Sequence, residues 1–92
     1  MENKLQEAFA MYQNNQVEQS LELVNQYIQE NLSDYQAFLL RGRIHYRMQN
    51  WGDAMNDYAL VLESDSENQE AKSGMEMVKN ILGYFTPDLF NP

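Results

Sequence analysis

No cysteine occurs among the 92 residues, which excludes a disulfide framework, a thiolate zinc site and a cysteine nucleophile. Histidine occurs once, at His45, so a His-based metal or catalytic cluster lacks members. Basic side chains are scarce: six Lys and Arg stand against fourteen Asp and Glu, leaving a net charge of −8 at neutral pH. Nucleic-acid binding rests on neutralising phosphates with Lys and Arg, so no DNA or RNA partner is expected. Long apolar runs are missing as well, the longest uninterrupted ones being the five-residue stretches 8–12 and 58–62. Neither a secretory leader nor a membrane span is expected from that pattern, and a cytoplasmic protein is the default. Four glycines and two prolines, both prolines within the last six residues, leave the body of the chain almost without helix breakers.

What is present favours helix. Gln, Glu, Leu, Met and Ala are abundant, ten Asn and nine Gln keep the surface polar without adding charge, and 43% apolar content with eleven aromatics can fill a core. Residues 2–13 repeat apolar side chains at Leu5, Ala8, Phe9, Met11 and Tyr12 and stop at Asn14-Asn15. Residues 17–30 carry Val17, Leu21, Val24, Tyr27 and Ile28 on one stripe, and the short connection folds the two segments into an antiparallel hairpin. A third segment starts after the capping candidates Ser33 and Asp34, bears Ala37, Phe38, Leu40, Ile44, His45 and Met48, and ends at Gln49-Asn50. Residues 51–63 form a fourth with Trp51, Ala54, Met55, Tyr58, Val61 and Leu62. The fifth carries Ala71, Met75, Val78, Ile81 and Leu82, with Gly83 as its expected left-handed closing residue. The expectation is an all-α fold of five helices in one domain over residues 1–82.

Sliding the chain by 34 residues superposes Ala8 on Gly42, Tyr12 on Tyr46, Asn15 on Gln49, Val17 on Trp51, Leu21 on Met55, Val24 on Tyr58, Asp34 on Asn68 and Ala37 on Ala71. Helix breaks, small residues and apolar stripes recur at that one offset although few identities survive. The chain therefore divides into repeat one (about 1–34), repeat two (about 35–68) and the first helix of a third copy (about 69–82).

The second copy, Phe38-x2-Arg41-Gly42-x2-His45 followed by Ala54-x3-Tyr58, resembles the tetratricopeptide repeat, whose period is also a 34-residue helix-turn-helix. Gly42 and Ala54 stand where the two helices of such a hairpin cross most closely. Arg41 replaces the family's usual leucine, His45 its tyrosine and Ser66 its closing proline; the first copy retains Ala8, Ser20 and hydrophobic character. The resemblance implies a right-handed α-α superhelix of two hairpins plus a fifth, capping helix. It also implies a concave surface lined by the first helix of each pair.

A cation at a hairpin interface needs a partner, and Arg41 is expected to form an ion pair with Asp57, which precedes Tyr58 on the facing helix. On the groove side, Leu5, Phe9 and Tyr12 make a stripe separate from the hairpin interior. Shifted by 34 it becomes Leu39, Arg43 and Tyr46, with Arg47 one turn after Arg43, and on the fifth helix Ser73, Met77 and Asn80. Aromatic, Met and Arg side chains are what partner-binding patches favour. Two alternatives stand beside this: Phe9 and Leu39 pack between neighbouring first helices, and Glu70 or Glu2 neutralises Arg43 and Arg47 internally. Some family members clamp a chaperone's terminal carboxylate with Lys and Asn; the aligned residues here are Leu5, Phe9, Arg43, Glu70 and Gly74, so that activity is not expected.

Residues 83–92 are apolar for a terminus. Thr86 is expected to cap a short turn, and Tyr84, Phe85 and Phe90 to cover the open face of the last helix, as solenoid ends require. His45 falls on the hairpin-facing stripe as a packed or hydrogen-bonded imidazole, and Glu18, Glu22, Asp53 and Glu63 lie on solvated faces. These readings point to a non-catalytic module that needs no cofactor or metal and binds a peptide or protein surface in its groove. The alternative is a self-associating unit; a monomer is expected in preference to a homodimer.

Overall fold

The computed structural model describes residues 3–85, and each anticipated segment is a helix: α1 (Lys4–Gln13), α2 (Val17–Glu30), α3 (Tyr35–Arg47), α4 (Trp51–Ser64) and α5 (Gln69–Phe85). No strand occurs among the described residues. The helix starts have identifiable chemical causes. Asn3 accepts the Gln6 N–H at 2.8 Å, Asp34 the Gln36 N–H at 3.1 Å and Asn68 the Ala71 N–H at 2.9 Å, each satisfying a donor that the first turn leaves orphaned. Asp34 also accepts the Tyr27 hydroxyl at 2.6 Å, which ties the end of α2 to the start of α3; this bond holds the Tyr27 pKa above its ordinary value.

The two hairpin turns share one backbone path. Asn15 and Gln49 both take left-handed conformations, with φ of 66° and 64°. The next residue in each turn donates its N–H five residues back, Gln16 to Met11 and Asn50 to His45, at 2.8 Å in both. Asparagine tolerates that region readily, whereas Gln49 carries strain of about 1–2 kcal/mol, so the tertiary arrangement of the second hairpin imposes the turn on a less suitable residue. From these turns α2 and α4 each run for 14 residues, starting 34 positions apart.

Apolar burial falls into two adjoining clusters. Leu5, Ala8, Val24, Ile28, Ala37, Leu40 and Ile44 join α1, α2 and α3, while Ala54, Tyr58, Val61, Ala71 and Val78 join α4 and α5. Phe38 packs against both and bridges them. Between α1 and α2 the close approach uses Ala8 and the fully buried Ser20, whose hydroxyl donates to the Ala8 carbonyl at 2.7 Å. Between α3 and α4, Gly42 faces Tyr58 and Asp57, and Ala54 is fully buried.

The expected pairing of Arg41 with Asp57 is present and bidentate: Nε and Nη2 donate to the two carboxylate oxygens at 2.9 Å each. Nη1 donates to Asn25 on α2 at 2.8 Å, so this one guanidinium joins three helices and both hairpins. His45 packs beside them, its Nε2 3.9 Å from Asp57 and its Nδ1 3.3 Å from the Asn50 amide.

One expectation changes at the C-terminal end. Gly83 is not a left-handed closing residue: no glycine among the described residues has positive φ, and α5 continues through it to Phe85. A mid-helix glycine costs only about 1 kcal/mol relative to alanine, which the helix tolerates. The proposed Thr86 cap and the covering role of Phe90 lie outside the described residues, as do the side-chain positions of Tyr84 and Phe85.

Aligned by 34 residues, the helices differ on their flanks. The face of α3 that packs on the first hairpin carries Ala37, Leu40 and Ile44, all fully buried, and α5 presents Ala71, Gly74 and Val78, also buried, in the same positions. The corresponding positions at α1 are its capping residue Asn3, Gln6 and Ala10, all exposed. At the other end, Arg41, Gly42 and His45 of α3 correspond to Met75, Glu76 and Lys79 of α5, which border a surface cleft. Both flanks are thus largely polar.

Candidate functional site

Helices α1, α3 and α5 lie side by side, α3 touching both of the others, and the residues expected on the groove converge on Arg43. Its Nε and Nη2 donate to Glu70 of α5 at 2.7 Å each, a fork-to-fork pair in which hydrogen bonding to Glu70 raises the guanidinium pKa. Its Cζ lies 5.8 Å from the Phe9 ring centre and 6.0 Å from that of Tyr12 on α1. Arg43 therefore links α1, α3 and α5. This is the internal pairing with Glu70 that the sequence left open.

Arg47 has different neighbours. It stands 5.3 Å from the Tyr12 ring centre and donates from Nη2 to the Asn15 side chain in the first turn. Among the described residues no carboxylate lies within ion-pair distance of it; Glu2, the other candidate, lies outside them. Tyr46 packs edge-on against Trp51 at 5.2 Å and directs its hydroxyl to the Met77 sulfur at 3.9 Å, joining α3 to α5. Met77 is 51% exposed.

The remaining members of the expected groove are less accessible. Leu5 is 8% exposed and belongs to the first core cluster, so it contributes packing and the accessible band starts one turn later. Phe9 and Leu39 are half-buried against the first and second clusters respectively, which is the packing alternative raised for both. Tyr12, Arg43, Tyr46, Arg47 and Met77 keep accessible surface together on one face.

Tyr58 belongs to this face although no stripe on the first helices contains it. It rises from α4 with its ring edge against Gly42 of α3 and Gly74 of α5: a methyl group added to Gly42 would stand 3.0 Å from Cε1, and one on Gly74 2.6 Å from Cε2 and Cζ. The ring fills the gap that the two glycines leave. Burial pushes the hydroxyl pKa up to about 12, Glu70 adds to the shift, and Arg43 opposes it. The available signal was Gly74 itself, a glycine inside α5 at the position where α3 has Leu40. A missing side chain at a buried repeat position implies that another group approaches closely.

On the opposite side, a cleft of about 360 Å³ is lined by Asn25, Arg41, His45, Asp53, Asn56, Asp57 and Leu60. Its central charges are committed to the Arg41–Asp57–Asn25 network. Among the described residues no group of three or more His, Asp or Glu side chains is arranged to hold a metal ion, and no helix is long and apolar enough to cross a membrane. Comparison with protein-family models gives no match for this chain, and neither does comparison with curated proteins.

Proposed function

We propose that this chain is a non-catalytic protein-interaction module of tetratricopeptide type, a right-handed α-α superhelix of two hairpins and a capping helix. It binds a peptide or protein surface in the concave groove of α1, α3 and α5 and acts as a monomer. The observation that carries this reading is the clustering of Tyr12, Arg43, Tyr46, Arg47 and Met77 on one accessible face while both flanks of the array are largely polar. Surfaces rich in Tyr, Arg and Met with a partly desolvated centre favour partner binding. The shared turn geometry at Asn15 and Gln49 supports the repeat assignment. Fold-level likeness supplies the class and leaves the partner to the chemistry of the face.

Affinity capture from the source cells, comparing wild type with a Tyr12→Ala, Arg43→Ala, Tyr46→Ala triple variant of matched helix content, tests the binding face. Loss of a specifically recovered protein is expected; identical recoveries refute the assignment. Sedimentation over a concentration series is expected to give one monomeric species, and concentration-dependent assembly would favour a self-associating unit instead.

A further inference from the structure

We propose that the partner segment is acidic, and that one of its side-chain carboxylates sits against the Tyr58 hydroxyl, Arg43 and Arg47. The proposal rests on the groove reading above and assigns that groove a ligand chemistry.

Tyr58 is only 3% exposed, yet no hydrogen bond among the described residues uses its hydroxyl. Buried hydroxyls are normally paired. Every fully enclosed side-chain polar atom among the described residues has a partner, so the Tyr58 oxygen retains an opening to the outside. The tip of the ring lies between Gly42 of α3 and Gly74 of α5, in the gap that the neighbouring Arg43–Glu70 pair spans. A phenol held neutral by burial offers a proton to an acceptor throughout the physiological pH range.

The neighbouring groups that remain available are also donors. The Glu70 pair occupies Nε and Nη2 of Arg43 and leaves Nη1 without a hydrogen bond among the described residues. Arg47 bonds a neutral amide and stacks on Tyr12. These donors call for an anionic acceptor, and two cations against the single Glu70 reverse, locally, the sign of a chain whose net charge is −8. A polyanion such as nucleic acid or an anionic membrane would meet the surrounding negative charge. A single carboxylate flanked by apolar residues would not, and Tyr12, Tyr46 and Met77 provide the apolar surface for its neighbours.

The test is selection of a displayed random dodecapeptide library on the full chain, followed by fluorescence anisotropy of the selected peptides against wild type, Tyr58→Phe, Arg47→Gln and Tyr12→Ala. Selected peptides should carry Asp or Glu beside a large apolar residue. Tyr58→Phe should weaken them about fivefold to tenfold, and changing the peptide's acid to its amide should abolish that difference. The thermal midpoint of Tyr58→Phe should match wild type, because no internal hydrogen bond is lost. The proposal is overturned if the library yields no binders, if binders are neutral or basic, or if Tyr58→Phe and Arg47→Gln bind like wild type. Arg47-dependent self-association would give the face to a second copy and overturn it too. Binding lost only in Tyr12→Ala removes the carboxylate inference and keeps the groove; binding indifferent to all three variants removes both.

Discussion

The two hairpins follow the same backbone path and close their helix crossings with different chemistry. In the first, Ala8 and Ser20 meet through a neutral hydroxyl-to-carbonyl bond of 2.7 Å. In the second, Gly42 makes room for the Tyr58 ring, and the Arg41–Asp57 pair reaches back to Asn25. A small residue at the crossing is what the architecture demands of both copies; the polar group beside it is free to differ, provided its hydrogen bonds are satisfied. The second hairpin sits between the first hairpin and α5, and its polar and aromatic groups reach both neighbours.

Breaking that central network should have the largest effect. Arg41→Leu leaves the Asp57 carboxylate, only 3% exposed, without its counter-ion. A loss of about 3–5 kcal/mol is expected in denaturant unfolding. Restoring most of it in an Arg41→Leu, Asp57→Leu double variant would show that the damage comes from the stranded charge. Gly74→Ala comes next: the added methyl meets the rigid Tyr58 ring at 2.6 Å, and overpacking of this kind costs about 1–3 kcal/mol. The same change at Gly52, where an added methyl meets nothing within 4 Å, should be neutral or stabilising.

Alkaline unfolding sharpens the contrast further. The folded Tyr58 pKa of about 12 lies above its ordinary value of 10.0, so folding favours the protonated phenol. Its contribution is fully present below pH 10 and is lost as pH rises toward 12, at about 1.4 kcal/mol per pH unit between those limits. Tyr58→Phe should flatten that decline; an unchanged alkaline profile would refute the assigned cause. The smallest effect belongs to the first hairpin. Ser20→Ala removes one buried hydrogen bond and should lower stability by about 1 kcal/mol, whereas Ala54→Ser should give no matching gain.

Much of this was legible before any coordinates, and particular residues show why. Asp34, read with Ser33 as a capping candidate, caps α3, because capping depends on a side chain and the N–H two or three residues further on; Asn68, its match at the 34-residue offset, caps α5 without having been singled out. Arg41 with Asp57 was readable because an unpaired cation at an interface is untenable and Asp57 was the carboxylate beside Tyr58 on the facing helix. Leu5 was misplaced: its spacing from Phe9 and Tyr12 puts all three near one stripe, and only the packing against Val24 and Ile28 in the core determines which edge of the stripe is covered. Gly83 read as a stop because glycine permits a left-handed closing residue, but permitting that conformation does not require it.

Helix number, turn positions, the offset between the copies and the small residues at the crossings all followed from the order of residues alone, since each depends on contacts within a few turns or on a simple period. Which carboxylate neutralises Arg43, how far Arg47 is left open, and that a tyrosine from a second-row helix emerges between two glycines onto the opposite face were decided only by tertiary packing. These depend on where side chains from three helices arrive together. No local pattern encodes that meeting point, because a shift of an ångström or two between helices exchanges one partner for another.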